Sequence, residues 1–292
     1  MTIAYGPMLD ALRGVRWPVR NAVGAALPGA HRSRQRGTAG EFTEYRLYRQ
    51  GDDPKQLDWK LLARSDRAFV RLTDDRALLP TWFILDGSAS MAFPDARHRT
   101  PDVPDKWSVA RAIAIGLASV AHASGDPVGA MCTSSTGPRR LAPRTRRGTI
   151  SELTRTLDGA DAGGSDSIAG LLAPLSSGSR IVIITDFLGD VASLLRTTSP
   201  LVASGAMVEC VHVVAAEELA PPLSAHLARD PEAPEVERVF DRHALAAYRE
   251  RFDDFRADIA RRVRAMGAGY TEARTDAPLP RLIRQIVGGQ AR

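Results

Sequence analysis

The chain has 292 residues, 44% of them hydrophobic, enough apolar material for one large α/β domain with a smaller unit beside it. Its 39 basic and 34 acidic residues leave a formal charge of +5, a mild excess rather than the footprint of a dedicated nucleic-acid binder. Its two cysteines, Cys132 and Cys210, sit far apart in apolar runs, so they read as buried free thiols with no disulfide framework or zinc spacing.

Residues 1–29 carry apolar positions Leu9, Leu12, Val15, Val19 and Val23 interrupted by Pro18. That pattern predicts one or two short helices whose apolar face packs on the main body. Asp10, Arg13, Arg16 and Arg20 interleave with those positions, so the stretch does not read as a secretory signal. The most apolar helix predicted, Val109 to Ala123, includes Arg111 and His122 and is too short for a bilayer. No membrane insertion is expected, and the location expected is the cytoplasm. Residues 30–79 turn Arg-rich, with short β-like runs around Phe42 and Phe69, and predict a small β-containing subdomain.

From 80 to 292 a strand-then-helix rhythm takes over. Thr81 to Leu85 reads as a buried strand and Lys106 to Ala123 as its crossover helix, with Ala110, Ile113, Ala114, Leu117 and Ala121 at helical spacing. Pro127 to Thr133 and Arg139 to Ala142 predict two strands joined by a tight turn, the second an antiparallel edge. Helices follow at Gly148 to Leu157 and Ser167 to Leu175. Arg180 to Asp186 is the near-continuous apolar run that a parallel strand buried on both faces requires. Helix, strand, helix, strand and helix are then predicted over 190–204, 206–214, 243–266, 269–273 and 280–287. Pro221 to Pro234 reads as a surface excursion loop. The whole is an α/β fold with a doubly wound, mostly parallel sheet.

Three stretches end predicted strands or enter helices with hard oxygen ligands: Asp86-Gly87-Ser88-Ala89-Ser90, Gly163-Gly164-Ser165, and Thr185-Asp186. Ligands of such sheets collect at the carboxyl ends of the strands, where all three are expected to converge. Magnesium takes six oxygens at about 2.1 Å and suits neutral hydroxyls mixed with carboxylates. An ion held mostly by hydroxyls stays electron-poor and seeks an anionic ligand, most naturally a Glu or Asp side chain of another protein. The alternative is turn and capping chemistry: Asp-Gly and Gly-Gly-Ser are routine turns, and Asp186 can cap the following helix.

At these residues the chain resembles the von Willebrand factor A fold, a Rossmann-like architecture whose metal-ion-dependent adhesion site has a D-x-S-x-S loop, a Thr on a second loop and an Asp on a third. The resemblance implies Asp86, Ser88, Ser90, Ser165 and Asp186 as ligands of Mg2+ (or Mn2+), with Ser165 standing where the family usually has Thr. Upstream, Gly51-Asp52-Asp53-Pro54-Lys55-Gln56-Leu57-Asp58-Trp59 follows Arg34-Gln35-Arg36-Gly37 and Gly40-Glu41-Phe42. This stretch is similar to the bacterial family called domain of unknown function 58 (DUF58), in which it precedes a von Willebrand A-like domain. Many relatives carry N-terminal membrane helices, so the chain looks like a short soluble form. Locally, Asp53 can cap a helix opening at Pro54, Asp58 can cap or pair with Arg64, and Trp59 with Leu57 can supply anchoring area. Arg32, Arg34 and Arg36 read as a solvated basic face or as partners of Glu41 and Glu44, with nucleic-acid contact the alternative.

The expected function is a metal-dependent protein-interaction module rather than an enzyme. The resemblance implies an adaptor or co-chaperone of a MoxR-type AAA+ ATPase, binding that ATPase or its client. No G-x-S-x-G elbow with an activating His and no P-loop is present. A magnesium-dependent phosphohydrolase is the enzymatic alternative, since Asp86 ends a first strand. That chemistry wants a second acid two residues on, where this chain has Ser88.

Overall fold

The computed structural model describes residues 3–17, 42–49, 57–65, 67–73, 78–95, 103–164, 166–221, 227–229, 237–239 and 242–289. It divides into two compact units, residues 1–20 with 79–292, and residues 21–78. Helix α1 (Tyr5–Ala11) opens the first unit, starting before the predicted periodicity. Gly14, in the left-handed region at φ 80°, turns the chain away after it. Met8, Leu12 and Trp17 are buried in the main apolar core, so this unit begins inside the stretch 1–29 that the sequence set apart as a helical segment. An amphipathic turn of this length has no stability of its own and needs that core.

In the second unit, β1 (Phe42–Leu47) pairs antiparallel with β2 (Phe69–Thr73), and α2 (Trp59–Ser65) lies between them in sequence. Asp58 caps α2, its Oδ1 accepting the N–H groups of Lys60 and Leu61 at 3.0 Å each. Trp59 does not anchor this unit: it is 65% exposed, and among the described residues of the unit Val70 is buried. Asp53, Pro54, Arg32, Arg34 and Arg36 lie outside the described residues.

The first unit continues with β3 (Thr81–Leu85), α3 (Lys106–Ala123), β4 (Val128–Cys132), β5 (Arg139–Arg144), α4 (Thr149–Asp158) and α5 (Ile168–Leu172). Next come β6 (Arg180–Thr185), α6 (Val191–Ala203), β7 (Met207–Val214) and α7 (Ala216–Leu219). The predicted excursion loop contains β8 (Leu227–Arg229), which pairs antiparallel with β9 (Glu237–Val239), strands too short to carry a periodicity. Helix α8 (Arg242–Ala265), β10 (Gly269–Arg274) and α9 (Leu279–Gly289) complete the unit.

Six strands form one sheet in the order β10-β7-β6-β3-β4-β5, parallel throughout except for β5, which is antiparallel to β4. This is the doubly wound, mostly parallel α/β architecture read from the sequence. Every residue of β3, β4 and β6 is buried, which is why those segments are unbroken apolar runs. One face packs on α1, α3, α4 and α9, the other on α5, α6 and α8. Helix α3 is buried on nearly all sides and meets α9 so closely that a Cβ on Gly116 would lie 2.4 Å from Ile283 Cδ1. Both cysteines are buried free thiols.

The strand order fixes where a ligand can go. From β3 the chain crosses to β4 on one side, and β6 returns on the other, so the loops after β3 and β6 diverge to opposite faces. That reversal opens a crevice at the carboxyl ends of these two neighbours. Asp86 and Asp186 are the residues that follow them.

Candidate metal centre at the carboxyl edge of the sheet

Asp86 leaves β3 with its N–H donating to Ile184 O at 2.9 Å, so the sheet ladder itself fixes its position. Its Oδ1 accepts the N–H of Ser88 at 3.0 Å, and its Oδ2 accepts the hydroxyl of Thr185 at 2.6 Å. The chain can turn here because residue 87 is glycine: a Cβ there would lie 2.1 Å from Thr133 O, whereas the bare N–H donates to Thr133 Oγ1 at 2.7 Å. A 3-10 turn over Ala89–Ala92 follows, and Ser88 Oγ and Ser90 Oγ stand 3.1 Å apart at its start.

The second loop joins the first through its backbone. Gly163 and Gly164 both donate to Gly87 O at 2.9 Å, and Ser88 forms a parallel bridge with Gly164. The neighbouring Ser165 lies outside the described residues. On the third loop Asp186 does not cap the following helix; Asp190 does, accepting from Ser193 N at 2.9 Å. Asp186 instead accepts the N–H of Leu188 at 3.1 Å, made possible by Phe187 standing at φ 57°, a left-handed conformation costly for an aromatic residue. Phe187 N–H reaches Thr185 Oγ1 at 3.1 Å in the same turn.

The sequence reading missed two charged residues. Lys106, first residue of α3 and fully buried, donates to Asp186 Oδ2 at 2.7 Å and to Glu218 Oε1 at 2.6 Å. Glu218, on α7, also accepts Ala215 N–H at 2.7 Å. A signal for Lys106 existed: a cation in the first turn of a helix opposes the helix dipole, and on an apolar helix it requires nearby carboxylates. Glu218 had none, because its partner comes from more than a hundred residues away.

Burial pushes the Asp86 carboxyl above its ordinary value, with the hydrogen bond from Thr185 pulling it down and the Asp186 charge pushing it up. Burial likewise lifts Glu218, and Lys106 draws it only part of the way back. Asp186 differs. Burial raises it too, but the Lys106 charge and the hydrogen bonds from Lys106, Ser90 and Leu188 outweigh that, and its carboxyl ends below the usual carboxylate range. For Lys106 burial favours neutrality, and the charges of Asp186 and Glu218 overcome it, keeping the ammonium protonated. Asp186, with the larger set of donors, is therefore its firmer partner.

Two carboxylates thus share one ammonium, and the Asp86 carboxylate stands beside Asp186 without it. The Ser88 to Ser90 spacing agrees with adjacent corners of an octahedron, where bonds of about 2.1 Å at right angles put oxygens about 3.0 Å apart. With Asp86 beside them, these oxygens are the kind and arrangement a hard divalent cation accepts. Among the described residues no three His, Cys, Asp or Glu side chains make up an ion site by themselves, so the hydroxyls are essential to any such site.

A family model described as "Protein of unknown function DUF58" matches residues 44–262. The chain belongs to this family. The uncharacterized protein Rv1480 of Mycobacterium tuberculosis (strain ATCC 25618 / H37Rv) is similar, 31% identical over 287 residues, covering 91% of this chain and 84% of the relative. Mb1516 of Mycobacterium bovis (strain ATCC BAA-935 / AF2122/97) matches to the same extent. Among solved structures, the conserved hypothetical protein BatB from Bacteroides thetaiotaomicron is similar at 16% identity and a TM-score of 0.45, over 73% of this chain and 98% of that one. The SpRpn10 VWA domain is similar at 14% identity and a TM-score of 0.39, over 71% and 95%. In this DUF58 chain, then, Asp86, Ser88, Ser90 and Asp186 gather at one edge of the sheet, while the upstream family motif falls largely outside the described residues. No helix among the described residues is long and apolar enough to cross a membrane.

Proposed function

We propose that the carboxyl edge around Asp86 is a docking socket for an acidic side chain of a protein partner, built to hold a magnesium or manganese ion. The observation that carries this reading is the pair of Ser88 and Ser90 hydroxyls, 3.1 Å apart, beside a buried Asp86 whose carboxylate accepts from Ser88 N–H and Thr185 Oγ1. Asp86, Ser88 and Ser90 would hold the ion, with Asp186 close by. The ion would supply positive charge and an open position for a carboxylate. Thr185 fixes the rotamer of Asp86, and the Gly87 to Gly163 and Gly164 hydrogen bonds brace the loop that carries both serines.

The reading is of a binding module rather than an enzyme. A phosphohydrolase of the aspartate type needs an acid where Ser88 stands, and the Ser88 hydroxyl is engaged with Ser90. The family resemblance makes a MoxR-type AAA+ ATPase the first partner to test, with the chain acting as its adaptor or co-chaperone. In a pull-down from cells of the source organism, the ATPase is expected to be retained in magnesium and lost in EDTA or with Asp86→Ala. Equal retention in all three conditions overturns the socket. Phosphoester turnover abolished by Asp86→Asn would replace it with the enzymatic reading.

A further inference from the structure

We propose that Lys106 sets the cation affinity of this centre by holding Asp186 and Glu218 out of the ligand set, an inference that rests on the cation reading above. The Lys106 ammonium has no exposed surface, stands against the dipole of the helix it begins, and would be a cheaper residue to bury as an apolar side chain of equal length. Its two charge-assisted bonds are short, 2.7 and 2.6 Å, and go to Asp186, whose charge acts on Asp86, and to Glu218. The ammonium neutralises charge that would otherwise face the crevice.

The consequence is a difference in how an ion is kept. A second carboxylate, released to join Asp86 and the hydroxyls, would hold a divalent cation more tightly and leave less attraction for an incoming acid. With Asp186 and Glu218 turned to Lys106, one carboxylate and neutral hydroxyls remain. An ion so held binds weakly, keeps its positive character, and is retained best when a partner's carboxylate completes its shell. Lys106 thereby couples ion retention to partner docking.

The test is Mn2+ binding to the full chain, followed by electron paramagnetic resonance of the free ion. Lys106→Met is expected to bind Mn2+ about tenfold or more tightly than wild type, within the range that neighbours of metal ligands command. Lys106→Met/Glu218→Gln keeps the net charge unchanged and removes one buried charge of each sign, so it guards against a single variant that fails to fold. It is expected to show a gain too, because Asp186 is released, and adding Asp86→Asn should abolish it. Unchanged or weaker affinity in the charge-conserving double variant, with measurable wild-type binding, overturns the role of Lys106 and leaves the socket standing. Asp86-dependent binding in the Lys106 variants with none in wild type supports Lys106 as a block and overturns the socket for the natural chain. No Asp86-dependent binding in any of them overturns both.

Discussion

At the amino edge of the sheet Arg180 is fully buried, paired with Asp126 at 3.2 Å and covered by the ring of Trp17 at 4.1 Å. At the carboxyl edge Lys106 is as deeply buried, between Asp186 and Glu218. The first arrangement pairs one cation with one carboxylate and seals it with an aromatic face, leaving Arg180 Nε and Nη2 without hydrogen-bond partners. The second sets one cation between two carboxylates, one more than it can neutralise. Burial lowers the Arg180 guanidinium despite Asp126, whereas the carboxylates hold Lys106 above its ordinary value. A closed, balanced pair fastens the N-terminal segment to the sheet. An unbalanced one, at the topological switch point, is suited to a ligand.

Replacing the cations separates the two roles most sharply. Arg180→Ala takes the guanidinium from the buried Asp126 carboxylate and is expected to cost about 3–5 kcal/mol in chemical denaturation, with no recovery in divalent cation. Lys106→Ala should cost a similar amount, about 3–5 kcal/mol, and recover in part when Mn2+ is added. Equal behaviour of the two in metal would erase the contrast between the edges.

His212 tests the packing that backs the carboxyl edge. It is buried among Phe187, Phe255 and Tyr270, with Nδ1 2.8 Å from the Tyr270 hydroxyl. Burial pushes its pKa down to about 4 from 6.5. Between those values the unfolded chain binds the proton that the folded chain refuses, so stability falls as pH drops through this window. The loss is about 3 kcal/mol at most, and His212→Gln should flatten the pH dependence of the melting temperature.

Smaller effects are expected from the loops. Gly87→Ala drives a Cβ into Thr133 O and should cost about 1–3 kcal/mol by thermal denaturation, with loss of Mn2+ binding. Thr185→Val and Thr81→Val form the last pair. Thr185 gives a 2.6 Å hydrogen bond to a carboxylate, and its loss should cost about 1.5–3 kcal/mol. Thr81 lies 3.4 Å from Arg180 Nη1, and its loss should cost about 1 kcal/mol or less.

The legible part of the fold is the part governed by local periodicity. β3, β6 and β7 announce themselves as apolar runs because both faces of a central parallel strand are covered, and α3 reads from its spacing. The antiparallel edge β5 follows from the tight turn before it. Asp86, Ser88, Ser90 and Asp186 were visible because each loop directly follows a recognisable strand. Trp59 misled, since a large aromatic residue beside a capping Asp reads as an anchor, and which way a capped turn faces is not a local property.

Sequence alone therefore determined the alternation of strands and helices, the doubly wound sheet, and the oxygen-rich loops at its carboxyl edge, because each depends on neighbours within a few residues. Tertiary structure decided that Lys106 and Glu218 join those loops, that the Thr185 hydroxyl donates to Asp86 Oδ2, and that Trp17 closes over Arg180. Those pairings join residues about 80 to more than 160 positions apart in the chain. A buried charge chooses its partner by proximity and desolvation in the folded state, and neither is written in the spacing of residues along the chain.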